Sequence, residues 1–302
     1  MSQALQAEQA IAVIKIGGSV LTSPRAYRRA AAFVRNHRLV SPHEQLVIVV
    51  SAQEGATDRL EREAAKIRPR PERAALDLLW STGELRSVAL LVLHLHSLGI
   101  SAAALNIHEA GLTVSKNGPG ETEVRLESQR LLAPLSRHGV AIVPGFLATD
   151  SAGAIVSLGR GGSDLTAVII ARGLEARRCV LVKDVPGYFS ADPHRDLDAR
   201  HLPFLTFESA LNLADNGCDL VQRRAIEEAA RCRLPLIVRS LQEFATVSCI
   251  AACEADFELF ATPASELQPA HKRKTRASGK NREFSRTSRS AAELIGTGSV
   301  AR

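Results

Sequence analysis

The sequence predicts an α/β fold, a three-layer αβα sandwich with a mostly parallel central sheet. Short runs rich in valine and isoleucine alternate with longer segments of helical period, which is the pattern of βαβ units whose sheet is covered by helices on both faces. With 302 residues, of which 45% are apolar, the chain is long enough to bury the core of such a sandwich. No internal repeat interrupts the alternation.

Six apolar runs are candidate strands, because each is short, rich in β-branched residues and bounded by polar or glycine-containing segments. They are residues 11–16, 46–50, 102–106, 140–146, 179–183 and 235–239.

The segments between these runs favour helices. Ser23 and Pro24 form a strong helix start, with the serine as N-cap and the proline at the first helical position. Residues 71–100 predict one or two helices that end at Gly99, and residues 206–217 predict a short helix closed by Asn216 and Gly217. The segment DLVQRRAIEEAARC predicts a further helix.

One segment favours a hairpin instead of a helix. The stretch LTVSKNGPGETEVRLES has alternating polarity around Asn117-Gly118, a dipeptide typical of tight β-turns. We therefore expect a hairpin or flap with its turn at these two residues.

The positive charge of the chain is concentrated at its C-terminal end. Residues 269–302 hold nine Lys/Arg against two acids, whereas the formal net charge of all 302 residues is +6, so residues 1–268 are nearly neutral. The sequence thus predicts a folded domain over 1–253 and a polar, basic, disordered tail over 254–302. Because the charge excess falls in the tail, nucleic acid is not expected as a partner of the folded part.

Cysteine usage and hydropathy favour the cytoplasm. The five cysteines form no CxxC pair, and Cys249 and Cys253 lack a nearby histidine, so no metal site is predicted. An odd number of cysteines without a signal peptide is typical of a reducing compartment. The most apolar segment, SVALLVLHLHSLGI, is interrupted by His94 and His96, so no membrane span is expected.

The stretch SLGRGGSDLTAVIIA places three glycines, Arg160 and Asp164 at the N-terminus of a helix that begins near Ser163. Glycines let backbone N–H groups approach an anion, and the helix N-terminus adds about half a positive charge directed at it. Arg160 has the planar fork that suits a carboxylate or phosphate. The alternative is structural: Asp164 as a simple cap and Arg160 as a solvated side chain.

A second glycine turn follows the first strand, in IAVIKIGGSVL. Lys15 lies inside this apolar strand, where a charge is costly unless an anion or a carboxylate meets it. The spacing matches neither a Walker P-loop nor GxGxxG. A third strand end carries Ser51, Gly55, Thr57 and Asp58, and the carboxyl ends of parallel strands are where α/β folds bind ligands.

Five segments, taken in order, resemble the catalytic domain of aspartate kinases, in the amino acid kinase family. They are VIKIGGSV, VVSAQEGATD, STGELRS, VPGFLATDSAGAIVSLGRGGSDLTA and VLVKDVPGYFSADP. The resemblance spans about residues 11–250. GRGGSD with the downstream DVPG and ADP segments is specific for the aspartate kinase branch, whereas KIGGS is shared with acetylglutamate kinase and isopentenyl phosphate kinase.

The resemblance implies transfer of the γ-phosphoryl group of ATP to L-aspartate, with Mg²⁺ as cofactor, to give 4-phospho-L-aspartate. It implies Lys15 and Asp164 as catalytic residues, the lysine stabilising the moving phosphoryl group and the aspartate orienting the lysine and helping to hold Mg²⁺. It also implies a homodimer. The substrate-binding residues would be Ser51, Thr57, Glu84, Arg160, Gly161 and Ser163, with Arg160 on a carboxylate and Glu84 on the ammonium. The nucleotide-binding residues would be Gly17, Gly18, Ser19, Lys183, Asp184, Tyr188 and Asp192.

Structural explanations remain open for two of these elements. Without the resemblance, Glu84 would be interpreted as an ordinary acid on a helix surface. The DVPG turn could likewise be purely structural, with Asp184 and Tyr188 making no contact to adenosine.

The sequence departs from aspartate kinases at three points. Asp219 stands where a second phosphate-binding lysine is expected, and we expect Lys183 to replace that lysine, with Arg223 and Arg224 as other candidates. His194 stands where an arginine usually follows ADP. The short polar tail takes the place of two regulatory domains, so we expect no feedback inhibition by lysine or threonine.

These departures keep an alternative function open. The chain could be a catalytically weak or inactive homologue that acts as a ligand-binding sensor or partner subunit, or a kinase for another small acidic substrate.

Overall fold

The computed structural model describes residues 10–118, 121–159, 161–191, 196, 198–241 and 246–254. The helices are α1 Pro24–Val40, α2 Ala56–Ile67, α3 Arg73–Ser97, α4 Gln129–His138, α5 Gly162–Gly173, α6 Phe207–Asp215 and α7 Arg223–Arg231. The strands are β1 Ile11–Ile16, β2 Gln45–Val50, β3 Ala103–Ala104, β4 Leu112–Gly118, β5 Glu121–Leu126, β6 Val140–Pro144, β7 Leu147–Thr149, β8 Ile155–Ser157, β9 Cys179–Lys183, β10 Tyr188–Phe189, β11 His201–Leu202, β12 Phe204–Thr206, β13 Leu236–Ser240 and β14 Val247–Ala251.

An eight-stranded sheet forms the centre of the fold, with the strand order β12-β14-β13-β9-β1-β2-β6-β3. The six strands from β13 to β3 are parallel, whereas β14 pairs antiparallel with β13 and β12 pairs parallel with β14. The predicted α/β class with a mostly parallel sheet is therefore confirmed, and two strands at one edge run in the opposite direction.

Side-chain alternation along the strands divides the core into two layers. On β1, Ala12, Ile14 and Ile16 pack with the buried faces of α1 and α3, whereas Val13 packs with α4, α5, α6 and α7 on the other side of the sheet. Lys15 follows the parity of Val13, so it extends toward the α5 side. This parity decides which helix the lysine meets.

The predicted helix start at Ser23 is correct. Ser23 is the N-cap of α1 with extended backbone and Pro24 is the first helical residue, although the serine side chain makes no capping hydrogen bond. Residues 71–100 form one helix, α3, rather than two.

The predicted hairpin is present, but its turn is not at Asn117-Gly118. Those residues still belong to β4, and Gly118 pairs with Glu121 of β5. Residues 119–120 lie outside the described part of the chain. The pairing continues to Gly118 across a register shift between Lys116 and Gly118, so the Asn-Gly dipeptide is part of the strand. β4 also pairs with β7 in a four-stranded sheet, β5-β4-β7-β8.

By length and composition, α3 could cross a membrane. Within the described residues its Val88, Leu91, Val92 and Leu95 are buried against the central sheet. This burial is what a core helix of an αβα sandwich requires.

Six strands that were not among the candidates are β7, β8, β10, β11, β12 and β14. All of them except β14 have only two or three residues, too few for a period to be visible. Of the predicted tail over 254–302, all residues after Glu254 lie outside the described part of the chain.

Candidate active site

Two lysines from neighbouring strands meet one buried carboxylate. Lys15 Nζ lies 2.8 Å from Asp164 Oδ1, and Lys183 Nζ lies 2.8 Å from Asp164 Oδ2. β1 and β9 are adjacent and parallel, and both lysines extend from the face of the sheet that carries α5. Asp164 lies in the first turn of α5, so the fold brings all three groups to the carboxyl edge of the sheet.

This cluster carries a net positive charge in a buried place. Burial by itself would raise the pKa of Asp164, but the charges and hydrogen bonds of the two lysines outweigh it and hold that pKa well below its usual range. Burial lowers the pKa of Lys183, while the nearby Asp164 opposes the shift. Since two cations share one anion beside a helix N-terminus, the site is suited to attract further negative charge.

The first glycine turn brings the backbone close to the ammonium group of Lys15. A Cβ on Gly17 would lie 3.2 Å from Lys15 Nζ, and one on Gly18 would lie 2.7 Å from the carbonyl oxygen of Ala52. The next residue, Ser19, donates a hydrogen bond from Oγ to Asp184 Oδ1 at 3.0 Å. The turn thus connects the end of β1 to the loop that follows β9.

The second glycine turn forms the N-terminus of α5. Gly161 is the N-cap and has a left-handed backbone with φ of 70°, and its carbonyl oxygen accepts from the Asp164 amide at 3.0 Å. Ser163 is pressed against the end of β6, where a Cβ on Gly145 would come within 2.6 Å of it. Glycine at 145 is therefore required for the helix to approach the sheet edge.

A cavity of about 640 Å³ opens beside Lys15. Predicted site residues that line it are Lys15, Gly18, Ser19, Ser51, Thr57, Glu84, Gly161 and Ser163. They come from the ends of β1 and β2, the first turns of α2 and α5, and the middle of α3. Convergence of these segments on one cavity is the arrangement that the sequence predicted for the carboxyl ends of the strands.

Glu84 is a buried acid facing this cavity. Its Oε2 has no hydrogen-bond partner within the described residues, and its side chain is 3% exposed. Burial raises the pKa of Glu84 to about 8, although the Ala52 amide and the charge of Lys15 lower it in part. A carboxyl group with one unpartnered oxygen in this position is suited to a cationic group of a ligand.

Other predicted residues lie away from the cavity or cannot be placed. Tyr188 is 2% exposed and packs in the α5 side of the core, with its phenol oxygen unpartnered within the described residues. The ring of Tyr188 therefore lies in the core, and its contact with adenosine stays a prediction. Arg160 and Asp192, as well as His194, lie outside the described residues.

The cations that could replace the second phosphate-binding lysine differ in the groups that they already contact. Asp219 is exposed, and Arg223 is paired with Asp215 and Glu227. Arg224 donates to the carbonyl oxygen of Leu158 at 3.2 Å. Lys183 is the candidate that joins the Lys15–Asp164 pair.

Several residues of the site were not predicted from the sequence. The cavity is also lined by Arg73, Trp80, Phe146 and Ser157, and the backbone amide of Gln222 donates to Asp164 Oδ2 at 3.2 Å. Arg73 and Trp80 are seven residues apart on α3 and so share a helix face, a signal present in the sequence. The approach of Phe146, Ser157 and Gln222 depends on tertiary structure.

The described residues contain no group of three or more His, Cys, Asp or Glu side chains that could hold a metal ion. Both oxygens of Asp164 are occupied by lysines. Asp184 is exposed, and its Oδ1 accepts the hydrogen bond from Ser19.

An αβα sandwich with lysines, glycine turns and a helix N-terminus at one sheet edge defines a class of proteins that bind phosphorylated ligands there. Residues 10–240 match the family model described as the amino acid kinase family, and the chain belongs to that family. The predicted resemblance to aspartate kinases is confirmed by the relatives that it matches.

An aspartokinase of Geobacillus stearothermophilus is 35% identical over 233 residues, which are 77% of this chain and 57% of the relative. An aspartate kinase of Pseudomonas putida is 34% identical over 235 residues, 78% of this chain and 57% of the relative. The chain thus spans 57% of the length of these curated relatives.

Solved structures support the same fold. The aspartate kinase from Synechocystis has a TM-score of 0.70 and 34% identity, covering 81% of this chain and 40% of its own. Aspartokinase III of E. coli, solved in complex with aspartate and ADP, has a TM-score of 0.65 at 23% identity, covering 80% of this chain and 65% of its own. The latter similarity establishes the shared fold.

Proposed function

We propose that this chain catalyses transfer of the γ-phosphoryl group of ATP to the side-chain carboxylate of L-aspartate, giving 4-phospho-L-aspartate and ADP. The observation that carries the proposal is the buried cluster of Lys15, Asp164 and Lys183 beside a cavity lined by Glu84, whose Oε2 has no partner within the described residues. The cluster supplies positive charge where phosphoryl transfer develops negative charge, and the cavity supplies an anion for the ammonium of an amino acid.

In the proposed reaction, a carboxylate oxygen of the substrate attacks the γ-phosphorus, and the bond between that phosphorus and the bridging β,γ-oxygen breaks. The acceptor carboxylate is ionised at neutral pH, so the step needs no general base. Catalysis then depends on positioning and charge neutralisation. Lys15 and Lys183 neutralise the transferred group and the leaving phosphate, and Asp164 holds both ammonium groups in place.

The remaining residues position the two substrates. Glu84 takes the substrate ammonium, and Ser51, Thr57 and Ser163 supply hydroxyl groups. The Gly18 amide and the N-terminus of α5 face the phosphates, whereas the Gly17 amide donates to the carbonyl oxygen of Val182 at 3.2 Å and Gly17 keeps the turn close to Lys15. Lys183 serves in place of the lysine that Asp219 replaces.

Magnesium fits this site as part of the nucleotide complex. Mg²⁺ is usually held by one or two carboxylates together with substrate phosphates, and it neutralises their charge. Asp184 is the described carboxylate that would hold it, since both oxygens of Asp164 contact lysines.

The test is a coupled assay of ADP release with ATP, Mg²⁺ and L-aspartate, with the acyl phosphate product trapped by hydroxylamine. L-Asparagine, which lacks the acceptor carboxylate, is the matched negative substrate. Turnover with L-glutamate, N-acetyl-L-glutamate or a small phosphate ester, and none with L-aspartate, would assign the chain to another branch of the family.

A second candidate is favoured by Asp219, an exposed acid at the position of an expected cation. Under this alternative the chain binds an amino acid or nucleotide without efficient turnover and acts as a sensor or partner subunit. Calorimetric binding of L-aspartate or ATP without ADP release would support it, and efficient turnover would exclude it. A cytoplasmic location and a homodimer remain predictions in either case.

A further inference from the structure

One wall of the cavity is formed by residues to which the preceding proposal gives no role. Arg73 opens α3, and its guanidinium carbon lies 5.0 Å from the centre of the Trp80 ring. Trp80 in turn lies 5.6 Å from the Phe146 ring, measured between centroids. Arg73, Trp80, Phe146 and Ser157 all line the cavity that contains Lys15 and Glu84.

Arg73 is held in a defined orientation. Its Nε lies 3.0 Å from Oδ1 of Asp77, a carboxylate that is 3% exposed, and its Nη2 donates to Ser157 Oγ. Within the described residues no acceptor contacts Nη1. A guanidinium has five N–H donors in one plane, so an arginine fixed at Nε and Nη2 keeps donors for a ligand.

The aromatic part of this wall is also fixed. Phe146 has φ of 71°, a left-handed conformation that is strained for a large side chain. Two hydrogen bonds hold it there: its amide donates to Thr166 Oγ1 at 3.1 Å, and its carbonyl oxygen accepts from the Leu158 amide at 2.8 Å. Thr166 belongs to α5, so the ring position is tied to the helix that carries Asp164.

Charge explains why this wall matters for an acidic ligand. The described residues that line the cavity include four acids, Glu54, Asp58, Glu61 and Glu84, and two cations, Lys15 and Arg73. Lys15 contacts Asp164 at the phosphoryl end. Among the described lining residues, Arg73 is therefore the cation available to a second anionic group.

We propose that Arg73, stacked on Trp80, is a specificity-determining residue that binds the α-carboxylate of an acidic amino-acid substrate. The inference rests on the proposed function, in which the side-chain carboxylate faces the γ-phosphoryl group beside Lys15 and leaves the α-carboxylate for another cation. Arg73 acts in addition to the predicted contact from Arg160. It selects substrates that carry an ionised α-carboxylate.

Trp80 provides the measurement, because it is the only tryptophan in the chain. Its fluorescence reports a ligand in this cavity whether or not turnover occurs. We would titrate wild-type protein, Arg73→Gln and the matched surface control Arg35→Gln with L-aspartate and with the α-amide of L-aspartate. Arg35 is exposed on α1, on the opposite face of the sheet from α5.

Arg73→Gln is expected to weaken binding of L-aspartate about tenfold or more, because a hydrogen-bonded charge is lost, and to change binding of the α-amide less than about twofold. Arg35→Gln should leave both unchanged. Arg73→Lys keeps the charge without the planar fork, so it should give an intermediate loss for L-aspartate alone. If Arg73→Gln fails to fold, binding of L-aspartate and of its α-amide is compared with the Arg73→Lys variant instead.

Equal loss of both ligands, or no loss of either, would overturn the inference, as would a Trp80 emission that does not respond to L-aspartate in the wild-type protein. A response that depends on Arg73, together with no ADP release, would refute the proposed kinase activity and leave the assignment of Arg73 intact.

Discussion

Lys15 and Lys183 contact opposite oxygens of a single carboxylate, although they come from opposite halves of the chain. Each lysine lies at or near the end of a central strand, on the face that α5 covers. The shared carboxylate of Asp164 compensates part of their charge and leaves an excess of one cation for a ligand.

Lys15→Met is expected to lower kcat about 10²–10³-fold, because one positive group at the developing charge is lost. The measurement is the steady-state rate of ADP release at saturating ATP and L-aspartate. Lys66→Met, which changes an exposed lysine on α2, is the matched control and should retain the wild-type rate. A Lys15→Met enzyme with normal kcat would remove the lysine from the mechanism.

Asp164→Asn should destabilise the fold as well as lower activity. The substitution leaves two buried ammonium groups without their anion, which we expect to lower the free energy of unfolding at neutral pH by about 3–5 kcal/mol. Urea denaturation measures it, with Asp198→Asn, at an exposed position, as control.

The pH dependence of this effect has a definite sign. The pKa of Asp164 is lowered in the folded state, so its contribution to stability is present above the unfolded value of 3.8 and is lost as the pH falls below it. The difference between wild type and Asp164→Asn should therefore shrink in acid. A difference that grew in acid would contradict the ion-pair assignment.

Glu84→Gln should weaken substrate binding and stabilise the free protein at high pH. The pKa of Glu84 is raised from 4.5 to about 8 in the folded state, so its contribution to stability is present below pH 4.5 and is lost as the pH rises toward 8. Above pH 8 the glutamine variant should be more stable than wild type, by on the order of a few kcal/mol.

For the same reason, binding of L-aspartate to the wild-type protein should strengthen as the pH rises toward 8, since the ammonium requires ionised Glu84. Thermal melts and calorimetry across this pH range provide the two readouts, and Glu63→Gln on the exposed face of α2 is the control. Loss of binding without the gain in alkaline stability would mean that Glu84 is not a buried unpaired acid.

Lys183→Met should raise the KM for ATP or lower kcat, because this lysine supplies the second cation of the cluster. Asp219→Lys, by comparison, should change turnover little, since the position is exposed and Lys183 already lies beside Asp164. The measurement is the steady-state rate of each variant at varied ATP, which gives its kcat and its KM for ATP. A large gain from Asp219→Lys would mean that the second phosphate-binding cation had been lost rather than relocated.

The strands that carry the two lysines of the site could be predicted from the local pattern of apolar residues. The runs at 11–16 and 179–183 coincide with β1 and β9, because central parallel strands are continuous apolar segments bounded by polar residues. The cost of a lysine inside such a strand predicted that an anionic group would meet Lys15, and Asp164 does so.

The features that local pattern did not predict depend on tertiary contacts. The inward position of Tyr188 follows from the pairing of β10 with β11, two strands of two residues each. The left-handed backbone of Phe146 is imposed by Thr166 and Leu158, neither of which is its neighbour in sequence. The direction of β14 is set by its pairing with β13, which no local signal encodes.

The position of β1 between β2 and β9 has a consequence for how the protein is made. β1 pairs with β9, which is synthesised much later. A nascent chain released before residue 183 would therefore lack Lys183, one of the two lysines of the cationic cluster. The proposed activity, which uses both lysines, therefore requires the chain to be translated and folded through β9, so that a shorter N-terminal fragment would lack it.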